Sequence, residues 1–178
     1  QIVWSTLAMR SDVDVRRLFT DQGDPPHRHC DLFGLSLSWE LDGPVLLDLL
    51  EQQRIPIWSH ARTDEHPIVF GGGPVLTANP EPLAPFFDVV LLGDGEDLLP
   101  AFIDALQSVK GQPRAEQLQH LARVPGIYVP ELHAPRYAAD GTLLGVAPVD
   151  ATLPERVAKQ TWRCLLYTSD AADEHSWV

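Results

Sequence analysis

Any chemistry in this sequence would have to come from two glycine-rich stops and the polar residues beside them. Gly71-Gly72-Gly73 closes the run PIVF, and Gly93-Asp94-Gly95 closes DVVLL. In both places a short apolar run gives way to helical spacing. At the carboxyl end of a parallel sheet such a stop presents unpaired backbone N–H groups at a helix N-terminus, and glycine lets a ligand approach the main chain closely. On that placement Ser36 and Ser38, which lie at the end of the run DLFGLSLSW, face the same crevice. Two explanations of the glycines stand at this level: close approach of a ligand, or the positive φ that tight strand-to-helix turns need. Neither stop is a Walker loop or a complete GxGxxG, so no nucleotide is specified.

The histidines offer less. His27, His29, Cys30 and Asp31 are close in sequence, but two histidines at i and i+2 in a proline-containing loop lack a third ligand, and a solvated loop accounts for them. Asp64-Glu65-His66 precedes a strand. That puts it at the amino edge of a sheet, away from the crevice, where capping or a surface salt bridge is the expected role. No acid-base pair and no nucleophile can be assigned, so the expectation is no catalytic residue and no metal ligand in this chain.

The elements that must position these groups read as strand-turn-helix units. Asp31 to Trp39 is a strand, and Gly43-Pro44 opens a helix whose Val45, Leu46, Leu47, Leu49 and Leu50 form one broad apolar face. Pro67 to Phe70 is a buried strand, followed by a brief helix from Pro80 through Phe87. Asp88 to Leu92 is the next strand, followed by a longer helix from Glu96 to Val109 with Leu98, Leu99, Phe102, Ile103 and Leu106 at helical spacing. Glu96 and Asp97 sit at the positive end of its dipole. Such repetition argues for an α/β fold with an open, doubly wound parallel sheet. Arg114 to Arg123 then reads as a helix, and Tyr137 to Val146 as a hairpin turning at Ala139-Asp140-Gly141, together an appendage to the sheet.

Composition narrows the function classes. Lys plus Arg number 13 against 25 Asp plus Glu, a net charge of -12 in 178 residues, which is the wrong sign for holding a polyanion and disfavours nucleic acid as a partner. No apolar run approaches the roughly 18 residues needed to span a bilayer. Cys30 and Cys164 are too few for a disulfide framework and too far apart for a metal knuckle, so a reducing cytoplasm is the expected compartment. The chain opens at Gln1 with no leader pattern, and the natural N-terminus is expected upstream. CLLYTSDAADE, in residues 164–178, has no periodicity that fits what precedes it and resembles a translated sequencing adapter; it is read as an artefact.

Taken together, FGLSLSWEL (33–41), TDEHPIVFGGGP (63–74), NPEPLAPFFDVVLLGDGED (79–97) and VPGIYVPEL (124–132) resemble one family, the radical SAM proteins with an N-terminal cobalamin-binding-like (B12-binding-like) domain. The likeness covers about residues 1–163. It implies a Rossmann-like, flavodoxin-type domain followed by a barrel that binds a 4Fe-4S cluster through CxxxCxxC and cleaves S-adenosylmethionine reductively. No CxxxCxxC occurs here, so cluster and S-adenosylmethionine belong to the parent protein and not to this segment. The resemblance implies residues 1–111 as the cobalamin-binding-like domain, 112–150 as the helix and hairpin appendage, and 151–163 as a linker toward the barrel, its partner in the same parent chain.

Carried over residue by residue, the family's cofactor contacts fall on Ser36, Gly72, Gly73, Gly93, Asp94, Gly95 and Glu96, and Ser38 and Gly71 join these cofactor candidates by their position on the same edge. The family's DxHxxG loop, whose histidine ligates cobalt, is not matched: Asp64-Glu65-His66 imitates its start, but Val69 stands where glycine should. The family's first strand, central in the flavodoxin-like order, is also expected to be missing. The resemblance therefore implies either a cofactor-binding regulatory domain or a non-catalytic docking module that binds no cobalamin.

Overall fold

The computed structural model describes residues 2–19 and 30–162. His27, His29, Cys164 and the rest of the 164–178 tail lie outside the described residues. The elements are α1 (Ile2–Ala8), β1 (Leu32–Ser36), α2 (Gly43–Gln52), β2 (Ile68–Gly72), α3 (Pro74–Ala78), β3 (Val89–Leu91), α4 (Gly95–Ser108), α5 (Arg114–Leu121), β4 (Ile127–Tyr128), β5 (His133–Tyr137) and β6 (Leu143–Pro148).

β1, β2 and β3 run parallel, with Leu32 through Ser36 opposite Ile68 through Gly72, and Phe70 and Gly71 opposite Val89 and Val90. β4 adds to β3 antiparallel, pairing Val90 with Tyr128 and Leu91 with Ile127. The sheet order is therefore β1-β2-β3-β4. It is mostly parallel with one antiparallel strand, where the sequence predicts parallel strands throughout. Alternate residues point to opposite faces of a strand. Ile68, Phe70, Val89, Leu91 and Ile127 pack with α1, α4 and α5, while Phe33, Val69, Val90 and Tyr128 pack with α2 and α3. Helices on both faces make this the open α/β, Rossmann-like class that the strand-turn-helix pattern predicts, and explain why β2 is an unbroken apolar run.

The central helix, α4, forms as its spacing dictates. Leu98, Leu99, Phe102, Ile103 and Leu106 are all buried, and Glu96 and Asp97 occupy the first turn. Phe102 lies tilted against Phe70 with ring centroids 5.0 Å apart. Burying one such side chain fully contributes about 2–3 kcal/mol. Gly34 of β1 is small for the same aromatic layer, since a Cβ there would run into the Phe70 ring.

Three expectations need correcting. The helix after β2 starts at Pro74, directly behind Gly73, and not at Pro80; Pro80, Pro82 and Pro85 remove backbone donors, leaving a single tight turn at Ala84–Phe86. Within 112–150, α5 and β4 belong to the main layer: Leu118, Leu121 and Ala122 enter the core with α4, so only the β5–β6 hairpin stands apart. Residues 151–162, read as a linker, are anchored too, by buried Leu153 and by Val157 against the α2/α3 core. β1 is at an edge of the sheet among the described strands. No helix among the described residues is long and apolar enough to cross a membrane.

Candidate functional site

The carboxyl ends of β1, β2 and β3 bring Ser36, Ser38, Gly71, Gly72, Gly73, Gly93, Asp94, Gly95 and Glu96 to one edge, as the sequence pattern predicts. Ser36 and Ser38 are exposed; the other residues are buried or half-buried. What stands against the glycines is the protein itself. Gly73 adopts φ +105° and Gly93 φ +126°, values that L side chains avoid, and each is met by main chain. Leu37 backbone lies against Gly73, with Leu37 N–H donating to Gly72 O at 2.9 Å. Gln160 pairs with Gly93 as a parallel bridge: Gln160 N–H donates to Leu92 O at 2.9 Å, and Asp94 N–H donates to Gln160 O at 3.0 Å. A Cβ on Gly93 would overlap the Gln160 carbonyl.

The remaining members of the set differ in what surrounds them. A Cβ on Gly71 would meet Leu76 and Phe87, so that glycine makes room for core packing. One on Gly72 would make only ordinary contact with Leu91, and Gly95 has open space around it. Asp94, the residue before α4, does not cap that helix with its side chain; its Oδ2 accepts from Trp162 N–H at 3.0 Å. Thr77 Oγ1 accepts from Gly93 N–H at 3.2 Å and ties α3 to the same turn. The carboxylates that this edge collects are Glu40, Asp42, Asp94, Glu96 and Asp97, beside Lys159 of the crossing segment.

The opposite edge holds the densest polar cluster. Asp88, just before β3, is buried, and its Oδ2 accepts from Arg62 Nη1 at 3.0 Å, Arg114 Nη2 at 2.6 Å and Val69 N–H at 2.7 Å. Arg62 has no exposed side-chain surface. Its remaining donors go to Pro56 O at 2.9 Å, Ile57 O at 2.9 Å and Phe86 O at 2.8 Å. Arg114 donates to His66 O at 3.0 Å and Pro67 O at 3.1 Å. Burial pushes the Arg62 guanidinium below its ordinary value, and Asp88 pulls it back up. With nearly every donor engaged, this cluster is a clamp between the loop before β2, the start of β3 and the start of α5.

Asp64-Glu65-His66 sits at this amino edge, as the sequence predicts, and Asp64 does act as a cap: its Oδ1 accepts from Arg114 N–H, the first of α5, at 2.7 Å. His66 Nδ1 is engaged locally, 3.0 Å from Thr63 N. His60 also precedes β2, His120 lies 3.2 Å from Ser108 at the end of α4, and His133 follows β4. None of the described histidines stands at the carboxyl edge. Cys30 is exposed, and no group of three potential metal ligands occurs among the described residues.

Sequence reasoning missed the Arg62–Asp88–Arg114 clamp, although a lone Asp inside FFDVVLL was a usable signal, since a charge amid apolar neighbours must find a partner. It also missed Gln160 and Trp162, which nothing in their local sequence distinguishes. The family model described as "Radical SAM proteins, N-terminal" matches residues 1–130, from α1 through β4. No curated protein and no solved structure matches the chain. With 130 of its 178 residues matched, spanning the whole four-stranded sheet, this chain belongs to the family of radical SAM protein N-terminal domains.

Proposed function

We propose that this chain is a non-catalytic N-terminal domain of a radical SAM protein, and that its carboxyl edge serves docking and does not hold cobalamin through a histidine. The observation that carries this reading is the Gln160 main chain bridged to Gly93, where a cofactor would need to approach. Two further observations support it. The described histidines lie away from the carboxyl edge, so none of them offers an imidazole to cobalt there. The carboxylates of Glu40, Asp42, Asp94, Glu96 and Asp97 give the crevice rim a charge that repels the cofactor's phosphate. The described residues therefore do not fit a histidine-ligated cobalamin.

Radical chemistry would have to reside elsewhere in such a protein, because a 4Fe-4S cluster needs clustered thiolates and this sequence has Cys30 and Cys164 alone. Titration of the purified chain into aquocobalamin is expected to leave the visible spectrum unchanged. A shift in that spectrum, abolished by Gly72→Val, would replace this reading with cofactor binding. What speaks for cofactor binding is the open space at Gly95 with Ser36 and Ser38 exposed on the same edge.

A further inference from the structure

The carboxyl edge also carries a feature that neither the glycines nor the clamp uses. Trp39 and Leu41, in the loop between β1 and α2, are 67% and 80% exposed. Loops this apolar normally fold inward, yet this one is held outward by its own hydrogen bonds: Asp42 Oδ2 accepts from Ser38 N–H at 3.2 Å and from Trp39 N–H at 3.1 Å. The helical turn Glu40–Asp42 runs directly into α2, so Leu41 and Val45, the latter 41% exposed, share a face one turn apart. A pinned loop that presents an aromatic and a leucine loses little conformational freedom on binding, and such residues dominate interface energetics when a partner covers them.

We infer that Trp39 and Leu41 are the docking point for the radical SAM domain, and that the surface receiving them is an apolar pocket rimmed by Lys or Arg. This inference rests on the docking reading given above and names the surface that performs it. Three observations select the partner. Glu40 and Asp42 stand either side of Leu41, and Asp94, Glu96 and Asp97 are on the same edge at β3, two strand spacings or about 10 Å away; with Lys159 as the one cation named beside them the edge stays acidic, so a basic rim on the partner complements it. A second copy of this chain would bring like charges together and is disfavoured. The family is that of the N-terminal part of radical SAM proteins, and residues 160–162 cross the same edge at Gly93 and Asp94, two strand spacings from the proposed surface.

The test titrates the purified chain with a separately prepared radical SAM domain from a protein of this family and follows association calorimetrically. It is repeated as the screening length falls from about 30 Å at low salt to about 8 Å at physiological salt. Trp39→Ala and Leu41→Asp should each weaken association at least about tenfold, the effect of losing an interface anchor. Glu40→Lys should weaken it as well and flatten its salt dependence. Tyr137→Ala, on the distant hairpin, should leave association unchanged. Because Trp39, Leu41 and Glu40 are exposed, all three variants should melt as the wild type does; if one does not, the other two decide. Association that ignores all three variants would overturn this surface while leaving the docking role standing. Absence of association with the wild-type chain would overturn both.

Discussion

At the amino ends of β2 and β3 one buried carboxylate, Asp88, gathers two arginines and a backbone N–H, whereas at the carboxyl ends of the same strands main chain meets main chain at Gly73 and Gly93. The first arrangement is written in side chains. It is sensitive to the identity of three residues far apart in sequence. The second is written in backbone: the main chain of Leu37 and of Gln160 meets the two glycines, and neither glycine has room for a Cβ. The buried ion cluster and the edge proposed for docking thereby lie at opposite ends of one sheet. The clamp can be conserved in energy while the other edge remains free to carry exposed acids and a projecting tryptophan.

The comparison is most severely tested by Asp88→Ala, which leaves two arginines buried without their counter-charge and should cost about 3–5 kcal/mol in urea unfolding. A loss below about 1 kcal/mol would mean that the arginines are held by carbonyl oxygens alone and that the amino edge is no more side-chain-dependent than its opposite. Next in size is Gly93→Val. It forces a branched side chain into a glycine-only conformation against Gln160 and should cost about 2 kcal/mol. It should also speed hydrogen exchange at the Asp94 and Gln160 amides, with those of Val69 and Arg114 unchanged. Exchange rising at both edges together would show that they are one cooperative unit.

A smaller effect belongs to Tyr128, whose hydroxyl donates to Glu81 Oε1 at 2.7 Å. Burial, followed by the neighbouring Glu81 carboxylate, raises the Tyr128 hydroxyl well above its ordinary value. A group whose folded value is raised contributes stability that is complete below the unfolded value, about pH 10 for tyrosine, and disappears as pH climbs toward the folded one. Alkaline melts should therefore show a loss above about pH 10 that Tyr128→Phe abolishes, while at neutral pH that variant costs about 1 kcal/mol. Smallest of all is Lys110→Ala. Its partner Asp31 is 2.8 Å away, but both side chains are mostly exposed, and the change in melting should correspond to less than about 0.5 kcal/mol. Two ionic contacts on one edge would then differ severalfold, the one buried and shared by two arginines, the other exposed and single.

Legibility in the sequence followed the range of the signal. α2, α4 and the stops at Gly73 and Gly93 were readable because helical spacing and glycine are local properties. The antiparallel entry of β4 was not, since Ile127 and Tyr128 are too few residues to show a direction and only Leu91 and Val90 across the sheet define one. α3 was displaced because three prolines attracted the helix start toward Pro80, when the donor-free Pro74 had already taken the first position. At the site, placement of the glycines and serines on one edge came from pattern, but what fills that edge came from Gln160, a residue with no local mark. Its role depends on a partner at Gly93 far back in the chain, and a single sequence carries no trace of such pairing.

The order β1-β2-β3-β4 is also the order in which a ribosome delivers the strands. Each parallel strand finds its neighbour already made, which keeps contact distances short for a sheet of this kind and favours assembly during synthesis. Arg114 follows Asp88 in synthesis by about one to five seconds at a rate of about 5–20 residues per second, so it is the last of the three clamp residues to be made. Gln160 is made later still, so the main chain that covers Gly93 is the last piece of this edge to be supplied.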